Sequence, residues 1–177
     1  MDRLVRIGGV SAILAGVLRA AGSFASGPGE IERQTLYFMV DLLLLLGVLA
    51  VYAQNHESLG RWGGGGFIAT VAGILLVRSS RAVPGFDLYP AGALTVAGGW
   101  LLLSVMWWKA AKGSGLVPLL FLLSVVTGAV GQLVPRAATL FVASGVVFGA
   151  AMVGVGAQVL AAGRRARTRG QSGSSAS

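Results

Sequence analysis

QTLYFMVDLLLLLGVLAVYA, residues 34–53, is an apolar run interrupted by one acid, Asp41. A helix needs about 20 mainly apolar residues to cross a bilayer. This stretch therefore predicts a membrane-spanning helix. An acidic side chain within a span is costly and usually faces a bundle interior or a polar partner.

Five further apolar stretches flank it, at 4–25, 62–79, 88–108, 116–134 and 137–162, and every connection is short. Short links between long helices make antiparallel neighbours. The expected fold is all-α: a polytopic integral membrane protein, a six-transmembrane-helix up-down bundle over residues 1–163. Residues 164–177 then read as a basic, Gly/Ser-rich disordered tail. With 55% hydrophobic and 11% charged residues, the chain falls far below the roughly 25% charged content of soluble domains. The first stretch reads as a span rather than a cleavable signal peptide, because a loop and a second span follow it.

The net charge of +8 is placed at span ends rather than in a patch, so topology signals and lipid contacts explain it better than nucleic acid does. With the N-terminus in the cytoplasm, that side receives Arg3, Arg6, Arg61, Lys109, Lys112, Arg164, Arg165, Arg167 and Arg169, against Arg33, Arg78, Arg81 and Arg136 outside. Nine against four predicts both termini cytoplasmic. Trp62, Trp107 and Trp108 would form an aromatic belt on the same side. The richness in Gly, Ala, Arg and Val suits a bacterium, hence a multi-pass protein of the inner (plasma) membrane.

The spans hint at three tandem helical hairpins. Glycine followed by a polar residue recurs as Gly16 and Arg19, Gly73 and Arg78, Gly128 and Gln132, with the glycines 57 and 55 residues apart. Such spacing is the mark of internal repetition.

The absence of cysteine excludes disulfides, thiolate metal sites and cysteine nucleophiles, and a single histidine, His56, excludes bis-histidine haem and multi-histidine zinc. No metal and no cofactor is expected. The GGGG at 63–66 lacks the Lys-Ser/Thr of a phosphate loop and reads as a flexible start to the third span.

Asp41 lies roughly 10 Å, and Arg19 roughly 8 Å, from the outer end of its helix at 1.5 Å rise per residue. Tyr37 stands one turn from Asp41 on the same face, and Arg78 and Gln132 approach the same depth. Together they predict an outward-facing polar pocket lined by Asp41, Arg19, Tyr37, Arg78 and Gln132. The arginines would meet an anionic or zwitterionic ligand, with Asp41 as counter-ion or proton carrier. The plainer reading is an ion pair, Asp41 with Arg19 or Arg78, that fixes helix register, and it is preferred for the Asp41–Arg19 pair itself. Asp87, ahead of the fourth span, reads as a helix cap.

Small residues at Gly8, Ala12, Gly16 and Ala20, and at Gly145 and Gly149, predict close helix packing. A docking face for a membrane protein partner or a second copy is the sharper alternative, with membrane lipids the remaining partner. The segment LYFMVDLLLLLG (36–47) and the glycine-rich start of the third span resemble small bacterial membrane proteins. Size and helix number are similar to the substrate-binding membrane components of vitamin uptake systems; that resemblance implies ligand binding, with the first helix as docking surface.

Three functions follow: binding or transport of a small ligand in the pocket; a non-catalytic accessory or structural subunit of a larger membrane complex; and an enzyme acting on a lipid-like substrate. The third is disfavoured, since one acid without a second catalytic group supplies little chemistry.

Overall fold

The computed structural model describes residues 2–24, 29–79, 88–110, 114–134 and 138–174. Among them the chain forms five helices and no strand: α1 (Asp2–Gly22), α2 (Glu30–Ser79), α3 (Tyr89–Lys109), α4 (Leu116–Leu133) and α5 (Ala138–Ser174). Four contain segments long and apolar enough to cross a membrane, and the apolar part of α4, Leu116–Gly131, is shorter. Long apolar helices suit a medium without water because each satisfies its own backbone hydrogen bonds.

The expected count of six is corrected to five, because the second and third expected spans belong to one element, α2. The residues taken for a loop between them, QNHESLGR at 54–61, carry no proline, and all but one keep helical geometry. The side chains of Asn55 and Ser58 donate back to the carbonyls of Val51 and Asn55, within the preceding turn. The exception is Gly60, at φ 59° and ψ −165°, backbone that a glycine reaches far more cheaply than any residue with a Cβ. There α2 reverses. Asp41 and Arg78 would stand roughly 55 Å apart on a straight helix, yet they form an ion pair. The rings of Tyr52 and Phe67, also on opposite arms, stack at 4.5 Å between centroids.

The two arms of α2 and the other four helices pack in a closed circuit. α1 touches α2, α2 touches α3, α3 touches α4, α4 touches α5, and α5 returns to α1. Glycines seven residues apart make the closest approaches. Gly9 and Gly16 of α1 meet Gly156 and Gly149 of α5, and a Cβ at Gly16 would overlap the Gly149 carbonyl oxygen. On the second arm of α2, Gly66 and Gly73 meet Gly99 and Gly92 of α3 in the same way. Seven residues are about two turns, so each glycine pair lies on one face and lets two backbones come together. The 63–66 run is therefore part of a helix and its contact face, not a flexible lead-in.

The small-residue face expected on α1 is in fact two. Gly8 and Ala12 lie against Ala50 and Gly47 of α2, whereas Gly16 and Ala20 lie against Gly149 of α5. Residues four apart drift about 40° per step on a helix of 3.6 residues per turn, so the run winds from one neighbour to the next. Both faces are occupied within the chain, which removes them as free docking surfaces. Gly145 belongs with Ser23 and Arg19.

Two further expectations change. Trp107 is only 3% exposed and joins the core, while Trp62 and Trp108 face outward. The segment 164–174, expected to be disordered, continues α5 as far as Ser174; its arginines and Ala166 are good helix formers. Asp87, expected as a cap, lies outside the described residues, and the residue at the cap position of α3 is Leu88, with no side-chain cap bond.

Outward stripes are apolar. Ile7, Val10, Leu14 and Val17 on α1, and Phe38, Leu42, Leu46 and Leu49 on α2, are all exposed. Exposed apolar surface on this scale marks contact with lipid or with another protein. The inside is solid over one half of the bundle. Trp100, Leu103, Phe121, Met152 and Val155 are almost wholly buried there, with Trp100 stacked on Phe121 at 5.6 Å and Phe121 edge-on to Phe148 at 5.4 Å.

Candidate functional site

Beyond Phe148 the bundle is hollow. A cavity of about 790 Å³ is lined by residues of all five helices, including both arms of α2. Its walls are mostly aliphatic, with Leu44, Ile74, Val96 and Phe148 toward the packed half. Among the described residues, three charged side chains line it: Arg19 from α1, and Asp41 and Arg78 from the two arms of α2. Tyr37 joins them, so four of the five residues expected at the pocket do line one cavity. The fifth, Gln132, has its backbone in α4 but its side chain lies outside the described residues.

The pairing differs from the favoured expectation. Arg78 Nε donates to Asp41 Oδ2 at 2.5 Å, and the side chains are 34% and 18% exposed. Asp41 is thus matched to the second arm of its own helix rather than to α1. The reversal at Gly60 brings the two residues to one level, and Arg78 also lies over the Phe38 ring, 5.3 Å from its centroid. Arg19 makes no ion pair among the described residues. Its guanidinium carbon sits 5.8 Å from the centroid of the Tyr37 ring, a cation–π distance. It is half-buried and occupies space that Gly145 leaves by lacking a side chain: the guanidinium carbon is 3.8 Å from where a Cβ would stand.

Among the described lining residues, two arginines and one aspartate carry a net charge of +1. The surplus belongs to Arg19, since Arg78 and Asp41 neutralise each other. A guanidinium facing a largely apolar cavity is a good receptor for a carboxylate or phosphate, which it binds through a planar fork of N–H donors.

Sequence reasoning missed the wall formed by α4 and α5. Ser124 and Ser144 bind reciprocally across α4 and α5: Ser124 Oγ donates to the Ser144 carbonyl at 3.0 Å, and Ser144 Oγ to the Ser124 carbonyl at 2.8 Å. Both line the cavity, as do Gln34 and Tyr89. The signal available was the run Ser144–Gly145 followed by Phe148 one turn later: a hydroxyl, a gap and an aromatic on one stretch of helix. His56 is exposed and lies 15 residues from Asp41 on the same arm, roughly 22 Å along the axis, away from the cavity. Among the described residues no three His, Asp or Glu side chains gather as a metal site would require.

The fold and the cavity define a helical protein with membrane-length apolar helices around a positively charged hollow. Comparison with family models, with curated proteins and with solved structures finds no match for this chain.

Proposed function

We propose that this chain is an integral membrane protein that binds, and carries, a small molecule bearing a negative group, held by Arg19 in the cavity. The observation that carries the reading is the surplus charge: Arg19 faces the hollow with no acidic partner among the described residues, while Asp41 is already matched to Arg78. A volume near 790 Å³ falls within the range of small-molecule sites, which are mainly apolar with a few converging polar groups.

Each arm of α2 then makes its own crossing, which returns both ends of the chain to one side. Arg3, Arg6, Arg61, Lys109 and Arg164 lie at the packed end of the bundle and the cavity at the other. The positive-inside rule puts the packed end in the cytoplasm and the cavity toward the exterior.

The test is native mass spectrometry on protein extracted gently from its own membranes. The expected result is one co-purifying anionic molecule of defined mass, lost from the Arg19→Gln protein while the melting temperature is kept. A stoichiometric protein partner with no small molecule overturns the binding reading and supports an accessory subunit instead. That second reading has its own observation, the Asp41–Arg78 pair, which is a structural tie between the arms of α2.

A further inference from the structure

We infer that the cavity is filled sideways from the membrane, through a seam between the cavity-end halves of α3 and α4, and that its occupant is an anionic amphiphile. This rests on the reading of Arg19 as an anion receptor and adds the class of ligand and its route.

Three observations carry it. Among neighbouring helices, α3 and α4 touch least. Their contact is closed in the packed half, where Trp100 of α3 stacks on Phe121 of α4. Toward the cavity end the facing residues shrink to Ala93 and Ala97 on α3 and Gly128 and Ala129 on α4, all of which line the hollow. Small residues normally draw helices together, and at Gly66 and Gly99 they do so here. Gly128 instead serves the α4–α5 contact, since a Cβ there would meet Ser144 of α5, which leaves Ala93, Ala97 and Ala129 as the small residues along the α3–α4 line. Leu94 and Leu133 border the seam; both line the cavity and yet are 55% and 80% exposed. A side chain that belongs at once to a cavity wall and to the outer apolar surface marks a place where the two are continuous.

The chemistry of the hollow fits such a molecule along its length. Arg19 and Tyr37 offer a cation and a hydroxyl for a phosphate or carboxylate head, while Leu94, Val125 and Leu133 offer an aliphatic path outward for a chain. A water-soluble anion would use the first group and leave the second exposed to no purpose. A neutral lipid would leave the Arg19 charge unmatched in an apolar site, which is costly.

The experiment places the full chain in nanodiscs of phosphatidylcholine with a minority of phosphatidylglycerol. A Phe148→p-benzoylphenylalanine protein carries a photoreactive ring at a position only 9% exposed, which bulk lipid does not reach. Irradiation is expected to give an adduct of one phosphatidylglycerol, reduced about tenfold or more in the Arg19→Gln background, as for loss of a charge-assisted contact. In parallel, Ala129→Trp, which narrows the seam without touching Arg19, is expected to cut retention of phosphatidylglycerol in native mass spectra by a similar factor, with helicity and melting checked. An adduct equally strong with phosphatidylcholine alone, or unchanged by Arg19→Gln, overturns the inference. So does full retention of phosphatidylglycerol in folded Ala129→Trp protein. If a water-soluble anion co-purifies from native membranes and phosphatidylglycerol is neither cross-linked nor retained, the anion-binding reading stands and lateral access falls. If no anion of either kind is held, both fall.

Discussion

The same helices build a solid plug at one end of the bundle and a hollow at the other. In the plug, Trp100, Leu103, Phe121, Met152 and Val155 are almost wholly buried. In the hollow, Arg19, Asp41, Ser124 and Ser144 stand where large apolar groups would have to stand to fill it. The backbones come close in both halves, through Gly9 and Gly156 in one and Gly73 and Gly92 toward the other. Side-chain volume therefore makes much of the difference, and α3 and α4 are the neighbouring pair that also touch least. One half holds the structure together so that the other need not be packed.

The contrast is sharpest at Trp100. Replacing a large buried side chain with alanine costs about 3–5 kcal/mol, so Trp100→Ala is expected to lower the melting temperature in detergent more than any change in the cavity. Trp100→Phe is expected to be much milder, because the indole Nε1 has no hydrogen-bond partner among the described residues and its removal leaves no orphan. Equal losses from the two changes would show that the plug depends on the indole N–H rather than on volume.

A smaller effect separates the two arginines. In a double-mutant cycle, Asp41→Asn and Arg78→Gln are expected to couple by about 1 kcal/mol or less, since Arg78 is partly exposed. Asp41→Asn and Arg19→Gln, which share the cavity without an ion pair, are expected to couple less than Asp41→Asn and Arg78→Gln do. Thermal or denaturant titration of the four proteins reads this out; coupling through Arg19 instead would return Arg19 to a structural role. The smallest change belongs to Ser124→Ala. Interhelical hydrogen bonds in membrane proteins average about 0.6 kcal/mol, so this variant is expected to lose little stability. A collapse of the fold would mean that the hollow is held open by the serine pair.

Much of this was legible in the sequence, and for definite reasons. Apolar run length alone marks the spans, and depth along each run correctly groups Arg19, Tyr37, Asp41 and Arg78, because rise per residue is fixed. Rotation is not fixed by spacing, which is why the sequence leaves both Arg19 and Arg78 open as partners of Asp41 and only the structure selects Arg78. The break between the second and third spans was also read too generously. A polar run such as QNHESL is compatible with helix wherever its side chains can bond within their own turn, and only Gly60 has to depart from it. The seam inferred between α3 and α4 left no trace in the sequence: Ala93, Ala97 and Ala129 read as packing residues, whereas in the structure they line the cavity.

The return of α5 to α1 sets the order in which the molecule is made. Gly9 must wait for Gly156, and Gly16 for Gly149, so the contact that shuts the circuit joins residues almost a full chain apart. Local pairs such as the arms of α2 are available early in synthesis, whereas a contact of such long sequence separation comes last. Until α5 is in place, Arg19 has no Gly145 beside it and the hollow has no wall on that side. The cavity around Arg19 is therefore completed in a single late step, and a nascent chain that stalls before α5 leaves that arginine without the wall that α5 supplies.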